Sequence, residues 1–164
     1  MLIRSVKSED IEQITAIYNH YVKHTIITFE EEEVGAREME HRMETIIARY
    51  PFFVIENEGT IAGYAYGSTF RKKSAYRFTV ETTVYLAASY TGKGYGTSVY
   101  QHLLSQLKDQ GYANALGVIA LPNPPSVRLH EKLGFMQVGH LKRVGKKFGK
   151  WIDTGYWQYI LNEE

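Results

Sequence analysis

Residues 78–110 read FTVETTVYLAASYTGKGYGTSVYQHLLSQLKDQ, and the fold turns on how this stretch is divided. Residues 78–86 are rich in Phe, Thr, Val and Tyr, which suit a pleated, half-buried surface, so the composition predicts a strand. Residues 90–96 form a loop with glycine at 92, 94 and 96. From Thr97 onward, Val99, Leu103 and Leu107 recur at helical spacing with Tyr100 and Leu104 beside them, which marks one helix face. A strand, a glycine loop and a helix start together make an anion site. The first helical N–H groups have no partner inside the helix, and the helix dipole favours negative charge there. Lys93 adds a positive charge.

Two phosphate-loop motifs do not fit. A Walker A loop needs Ser or Thr after its Gly-Lys pair, and here Lys93 is followed by Gly94. A dinucleotide fingerprint needs a third glycine where this chain has Thr97. Glycine-rich turns also occur without any ligand, so the loop needs support from the rest of the chain.

The length of 164 residues suits one domain, taken as residues 1–164, with room for a sizeable core. A hydrophobic fraction of 44% with 23% charged residues is that of a soluble globular protein. The net charge of +1 argues against a broad nucleic-acid footprint. Cysteine is absent, which excludes a disulfide framework, a thiol nucleophile and a cysteine metal site. The N-terminal MLIRSVKSED has no long apolar run, so no signal peptide is expected, and no stretch approaches the ~20 apolar residues of a membrane helix. The 13 tyrosines suit a cleft wall as well as ordinary rim packing.

Upstream, residues 2–6 suit a short strand and Ser8 an N-cap, with Ile11, Ile14, Ile17 and Tyr21 at helical spacing. Residues 25–29, TIITF, suit an extended segment. The acidic run 30–33 precedes a second helix over 36–49, where negative charge complements the dipole. Residues 52–56 and 60–68 read as strands joined by Asn57-Glu58-Gly59, and 70–77 as a basic loop. Downstream of the helix, which closes at Gly111, residues 114–120 suit a strand. Ser126 suits the cap of a short helix ending at Gly134, and 136–143 and 151–161 suit two final strands. The order β-α-α-β-β-β-α-β-α-β-β indicates one α/β domain with a mostly antiparallel sheet.

Two residues stand out chemically. Glu81 interrupts a run of Thr, Val and Tyr. If it faces inward, burial raises its pKa and makes it a general base near neutral pH; the alternative is a glutamate on the polar side of the strand. His130, in SVRLHEKLGF, can exchange a proton at working pH, though a lone helical histidine is more often structural or exposed. His20 and His24 share a helix face without a third ligand at metal-site spacing, so no metal is expected. The basic stretch 142–150 reads as a charged hairpin. Its Phe148, with the adjacent Trp151, suits base stacking, but the net charge weighs against nucleic acid.

Taken together, these residues resemble the GNAT superfamily of acetyl-CoA-dependent N-acetyltransferases. Its loop signature, Gln or Arg, two residues, Gly, one residue, Gly or Ala, is matched by Thr91-Gly92-Lys93-Gly94-Tyr95-Gly96 except at Thr91. The phosphinothricin acetyltransferase subgroup, with the methionine sulfoximine and sulfone acetyltransferases, is closer. The resemblance lies in IYNHYV (17–22), ITF (27–29), RYPFFV (49–54), AYRFTVETTVYL (75–86), LPNPPSVRLHEKLGF (121–135) and GKWIDTGYWQ (149–158).

It implies a central, mostly antiparallel sheet of about seven strands flanked by about four helices. It implies that the backbone of Val84, Tyr85, Leu86 and Ala87 lies along the pantetheine arm of acetyl-CoA. Lys93, Gly94, Tyr95, Gly96, Thr97 and Ser98 would hold the pyrophosphate, with Asn123 and Ser126 completing the cofactor side. Glu81 would be the general base, and His130 would protonate the leaving thiolate or position the amine. The amine would attack the thioester directly.

The basic loop adds an expectation about the acceptor: Arg71 and Lys73 bind the carboxylate of an amino acid, with Phe29 and Tyr76 walling the pocket. A homodimer in the cytoplasm is expected. A protein N-terminus or a polyamine as acceptor, or an acyl-CoA-binding module without turnover, are the competing readings.

Overall fold

In a computed structural model describing residues 1–163, a single seven-stranded sheet in the order β1-β2-β3-β4-β5-β7-β6 organises the chain. Its strands are β1 (Leu2–Ser5), β2 (Phe52–Asn57), β3 (Thr60–Thr69), β4 (Thr79–Leu86), β5 (Asn114–Leu121), β6 (Met136–Lys147) and β7 (Lys150–Ile160). The helices are α1 (Ile11–His24), α2 (Ala36–Ile47), α3 (Tyr95–Asp109) and α4 (Pro124–Lys132). The element order is the expected one. Every pairing is antiparallel except β4 with β5.

Alternation along β2 explains the layering. Phe52 and Val54 enter a cluster with Ile14, Val22 and Met43 from α1 and α2. Phe53 and Ile55 enter a second cluster with Val99, Leu103 and Leu107 from α3. Both faces of β2 are therefore buried, which is why it reads as a continuous apolar run. Buried apolar area, at roughly 25 cal/mol per Å², is the main stabilising term on both faces.

Local expectations fail where a side chain outcompetes the expected element. Ser8 does not cap α1. The buried Asp10 carboxylate accepts from the Lys7 backbone N–H at 2.8 Å and from both terminal nitrogens of Arg4, leaving residues 8–10 as a 3-10 turn. Residues 25–29 form no strand, because the Thr25 hydroxyl donates to the Tyr21 carbonyl and accepts from the Ile27 N–H. Helix α3 starts two residues before Thr97, directly after Gly94 in the left-handed region. The last hairpin is longer than expected: β6 runs to Lys147, and Phe148-Gly149, both at positive φ, turn it into β7. Asn123, not Ser126, caps α4, its side chain accepting from the Ser126 N–H.

Candidate active site

The parallel strands at the centre of the sheet come apart. β4 and β5 pair from Thr79↔Asn114 to Thr82↔Gly117, yet β4 continues to Leu86 and β5 to Leu121. Beyond Thr82, β4 stays with β3 through Leu86↔Gly63, and β5 stays with β7 through Leu121↔Asp153. A cleft of about 250 Å³ opens between them. Glu81, Val84, Tyr85, Asn123, Ser126, His130 and Phe29 all line it.

Leu86 and Ala87 close the inner end of β4. The Tyr21 hydroxyl donates to the Leu86 carbonyl at 2.5 Å, and the Ala87 N–H donates to Ala62. Tyr85 is packed among Tyr18, Tyr21 and Tyr64, with ring centroids 5.0–5.7 Å away. Four of the 13 tyrosines of the chain form this support beneath the strand.

The loop from β4 to α3 has the geometry of an anion cradle. Gly92 and Gly94 adopt φ of 72° and 86°, where a side chain would be strained, though no neighbour lies within 4 Å of a Cβ at either position. The Ser98 N–H donates to the Gly94 carbonyl, while the N–H groups of Tyr95, Gly96 and Thr97 precede the first intrahelical bond. Lys93 is exposed, with its ammonium over the Tyr90 ring at 5.9 Å. Thr91, at the position departing from the signature, donates its hydroxyl to the Ala88 carbonyl at 2.9 Å. Beyond Thr82 the β4 edge that faced β5 has no strand partner among the described residues, and the start of α3 offers free N–H donors to an anion.

Glu81 is half-buried and lines the cleft, and no ion pair among the described residues involves it. Burial raises its pKa above the ordinary carboxylate value. Such a carboxylate accepts a proton more readily than an exposed glutamate.

His130 sits deeper, at 4% exposure. Its Nδ1–H donates to the Ser126 carbonyl at 2.8 Å, a tautomer assigned from that acceptor-only partner. Nε2 therefore accepts from the Tyr100 hydroxyl at 2.9 Å, and that hydroxyl is 2.6 Å from Thr82 Oγ1. Burial lowers the His130 pKa, with the Ser126 bond opposing, so the imidazole is neutral near pH 7. Gly117 makes room for the ring, since a Cβ there would fall on the imidazole. That glycine, inside an otherwise apolar strand, is the sequence signal that a close approach was needed.

Arg71, Lys73 and Tyr76 are not brought into the cleft lining. All three are exposed on the β3–β4 connection; Arg71 lies over the Phe70 ring at 5.1 Å, and Tyr76 packs edge-on against Phe70 at 5.7 Å. The connection starts at the Glu81 end of β4, as Ser68 pairs with Glu81 and Thr69 with Val80. Sequence reasoning missed the linkage of Tyr100 and Thr82 to His130, and it missed Thr154, which lines the cleft from β7. Tyr100 is spaced like any core residue of α3.

Residues 3–155 match the acetyltransferase (GNAT) domain family. The chain is 40% identical over 156 residues to phosphinothricin N-acetyltransferase of Streptomyces viridochromogenes, covering 95% of this chain and 85% of that protein. It is 34% identical over 167 residues to the L-methionine sulfoximine/L-methionine sulfone acetyltransferase of Salmonella typhimurium, covering 99% of this chain and 96% of that one. The fold superposes with a TM-score of 0.95 on the Sinorhizobium meliloti phosphinothricin acetyltransferase crystallised with acetyl-CoA, at 36% identity, covering 99% of this chain and 89% of that chain. The split strands, the glycine cradle and these likenesses agree: the chain belongs to the GNAT acetyltransferase family, in the branch of the phosphinothricin and methionine sulfoximine acetyltransferases.

Proposed function

We propose that this chain acetylates the α-amino group of a small amino-acid-like acceptor, of the phosphinothricin or methionine sulfoximine/sulfone type. Family membership makes acetyl-CoA the acyl donor, and its thioester is the electrophile. The observation that carries the proposal is Glu81: a half-buried carboxylate, in no ion pair among the described residues, lining the same cleft as the free edge of β4. A base there removes a proton from the acceptor ammonium, leaving the amine lone pair to attack the thioester carbonyl directly; the tetrahedral adduct then breaks its C–S bond and expels the coenzyme A thiolate, which takes up the second proton lost by the nitrogen. Val84 to Ala87, Lys93 to Ser98, Asn123 and Ser126 hold the donor. His130 assists through the Tyr100–Thr82 pair. With Nδ1–H given to Ser126 and Nε2 to Tyr100, it orders the Tyr100 and Thr82 hydroxyls, and Thr82 lines the same cleft as Glu81.

Arg71 and Lys73 read the acceptor carboxylate from the rim, and Phe29 and Tyr76 flank its side chain. The chain acts as one domain, residues 1–164. The exposed Met136, Val144 and Trp151 of the β6–β7 hairpin suit burial against a second copy, so a homodimer is the assembly proposed. No described helix is long and apolar enough to cross a membrane, and the proposed compartment is the cytoplasm.

The test is thiol release from acetyl-CoA across amino acids, their carboxyl-amides, peptides and polyamines. Turnover should be highest with methionine sulfone, methionine sulfoximine or phosphinothricin, and should fall on amidation of the carboxylate. Turnover confined to peptides or polyamines would reject the acceptor class. Coenzyme A binding without turnover of any amine would leave a binding module.

A further inference from the structure

One wall of the cleft comes from the α1–α2 connection, whose Ile27, Thr28 and Phe29 line it. The ends of that connection are tied to its own helices. The Thr25 hydroxyl donates to Tyr21, the Asn19 side chain exchanges two 2.8 Å bonds with the Val34 backbone, and Arg42 pairs with Glu30. Its middle is held through the Thr28 side chain from α1, where the Tyr18 hydroxyl lies 2.8 Å from Thr28 Oγ1, and through its backbone from the other end of the chain. Lys147, the last residue of β6, is only 1% exposed, and its Nζ donates to the Thr28 carbonyl at 2.8 Å. Two residues earlier, Gly145 accommodates Phe29, because a Cβ at Gly145 would fall on the Phe29 ring.

A buried ammonium is a costly way to fill space. It loses hydration, and an apolar side chain of similar length would pack without that loss. No ion pair of the described residues compensates Lys147; Glu30 and Glu31 act on it only at longer range. Its hydrogen bond goes to the backbone of the segment that carries one wall of the cleft. A charged donor to a buried carbonyl is among the stronger single hydrogen bonds available. No hydrogen bond among the described residues joins Lys147 to β4 or to the glycine loop, so the clamp bears on one side of the cleft alone.

We propose that Lys147 is a positioning residue for the acceptor: by holding the Thr28 carbonyl it seats Phe29 over Gly145 and sets the wall on which the acceptor side chain packs. The inference rests on the acetyltransferase reading for what the wall contacts, while the clamp itself can be measured independently. The last hairpin of the chain thus governs acceptor affinity through a loop near its start and leaves the donor side unaffected.

The experiment compares the parent with Lys147→Met, Lys147→Arg and Gly145→Ala. Lys147→Met should raise the acceptor KM by about 10- to 100-fold through misplacement of the wall. It should leave kcat within roughly threefold of the parent, and coenzyme A affinity by calorimetry unchanged. Lys147→Arg, which keeps charged donors, should recover part of the KM. Gly145→Ala should reproduce the KM rise with the lysine intact, and it carries the kinetic test if Lys147→Met does not fold. Amide hydrogen exchange over residues 26–31 should quicken in Lys147→Met while α3 stays protected. Unchanged exchange over 26–31, or a KM that moves only in step with coenzyme A affinity, would overturn the proposal. If the parent acetylates none of the amines, the functional reading falls, and the exchange measurement alone decides the clamp.

Discussion

The two strand-to-helix turns beside the cleft solve the same topological problem with opposite chemistry. From β4 into α3 the chain uses Gly92 and Gly94 at positive φ, with no side-chain cap, so the N–H groups of Tyr95, Gly96 and Thr97 stay available. From β5 into α4 it uses Asn123 followed by Pro124 and Pro125. The prolines have no N–H, Ser126 donates to the Asn123 side chain and Val127 to the Asn123 carbonyl. Helix α4 therefore begins with its donors already satisfied. A helix start binds an anion only when its backbone is left free. The α3 turn is the one proposed to take the phosphates; the α4 turn is a rigid bracket that presents His130.

The largest expected effect comes from the residue between the two turns. Glu81→Gln should lower kcat by ~100- to 10,000-fold, the usual range for a positioned base, while coenzyme A affinity is retained. Its pH dependence is also specified. The folded pKa of Glu81 is raised, so the parent rate should fall on the acid side at a pH above that of an ordinary carboxylate. The sign for stability is opposite to that of a salt-bridged acid. The raised pKa favours folding at acid pH, and that contribution is lost as pH rises through the folded value. Glu81→Gln should accordingly melt higher than the parent at neutral pH, with the difference vanishing in acid. Parent-like turnover of Glu81→Gln would place the base elsewhere.

A smaller effect separates the turns directly. Gly94→Val forces a β-branched residue into the left-handed region and should weaken coenzyme A binding by at least about tenfold in calorimetry. That affinity should fall steeply with salt, as expected of an exposed charge site. Unaltered affinity in this variant would remove α3 from the phosphate site.

The smallest effect belongs to the bracket. Asn123→Ala removes a helix cap and should cost about 1 kcal/mol of stability by denaturant melt. Because Asn123 is among the residues proposed to hold the donor, its loss should also weaken coenzyme A binding, but less than Gly94→Val does, and loosening of α4 around His130 should lower kcat. If binding collapses while stability holds, Asn123 is chiefly a ligand and the contrast between the turns fails.

Much of this was legible in the sequence, for local reasons. The spacing of Val99, Leu103 and Leu107 sets one helical face whatever lies opposite it. Gly92 and Gly94 mark a loop that other residues would strain, and Glu81 is conspicuous because glutamate is depleted in strands. Hairpin turns and the element order follow from the same short-range rules. What only the tertiary structure decided depends on residues far apart in the chain. Periodicity does not show that β4 and β5 separate after Thr82 and Gly117, since each strand follows a different neighbour beyond that point. Nor does it show that His130 turns inward to Tyr100, a pairing that requires Gly117 on a third element. The charges of Arg71 and Lys73 are plain in the sequence, but their position outside the cleft lining is set by the path of the β3–β4 connection. In the sequence Lys147 is one more charge of a charged hairpin. Its burial became visible only once folding had brought Thr28 across the 119 residues that separate them, because a buried ammonium is defined by its distant acceptor and not by its neighbours in sequence.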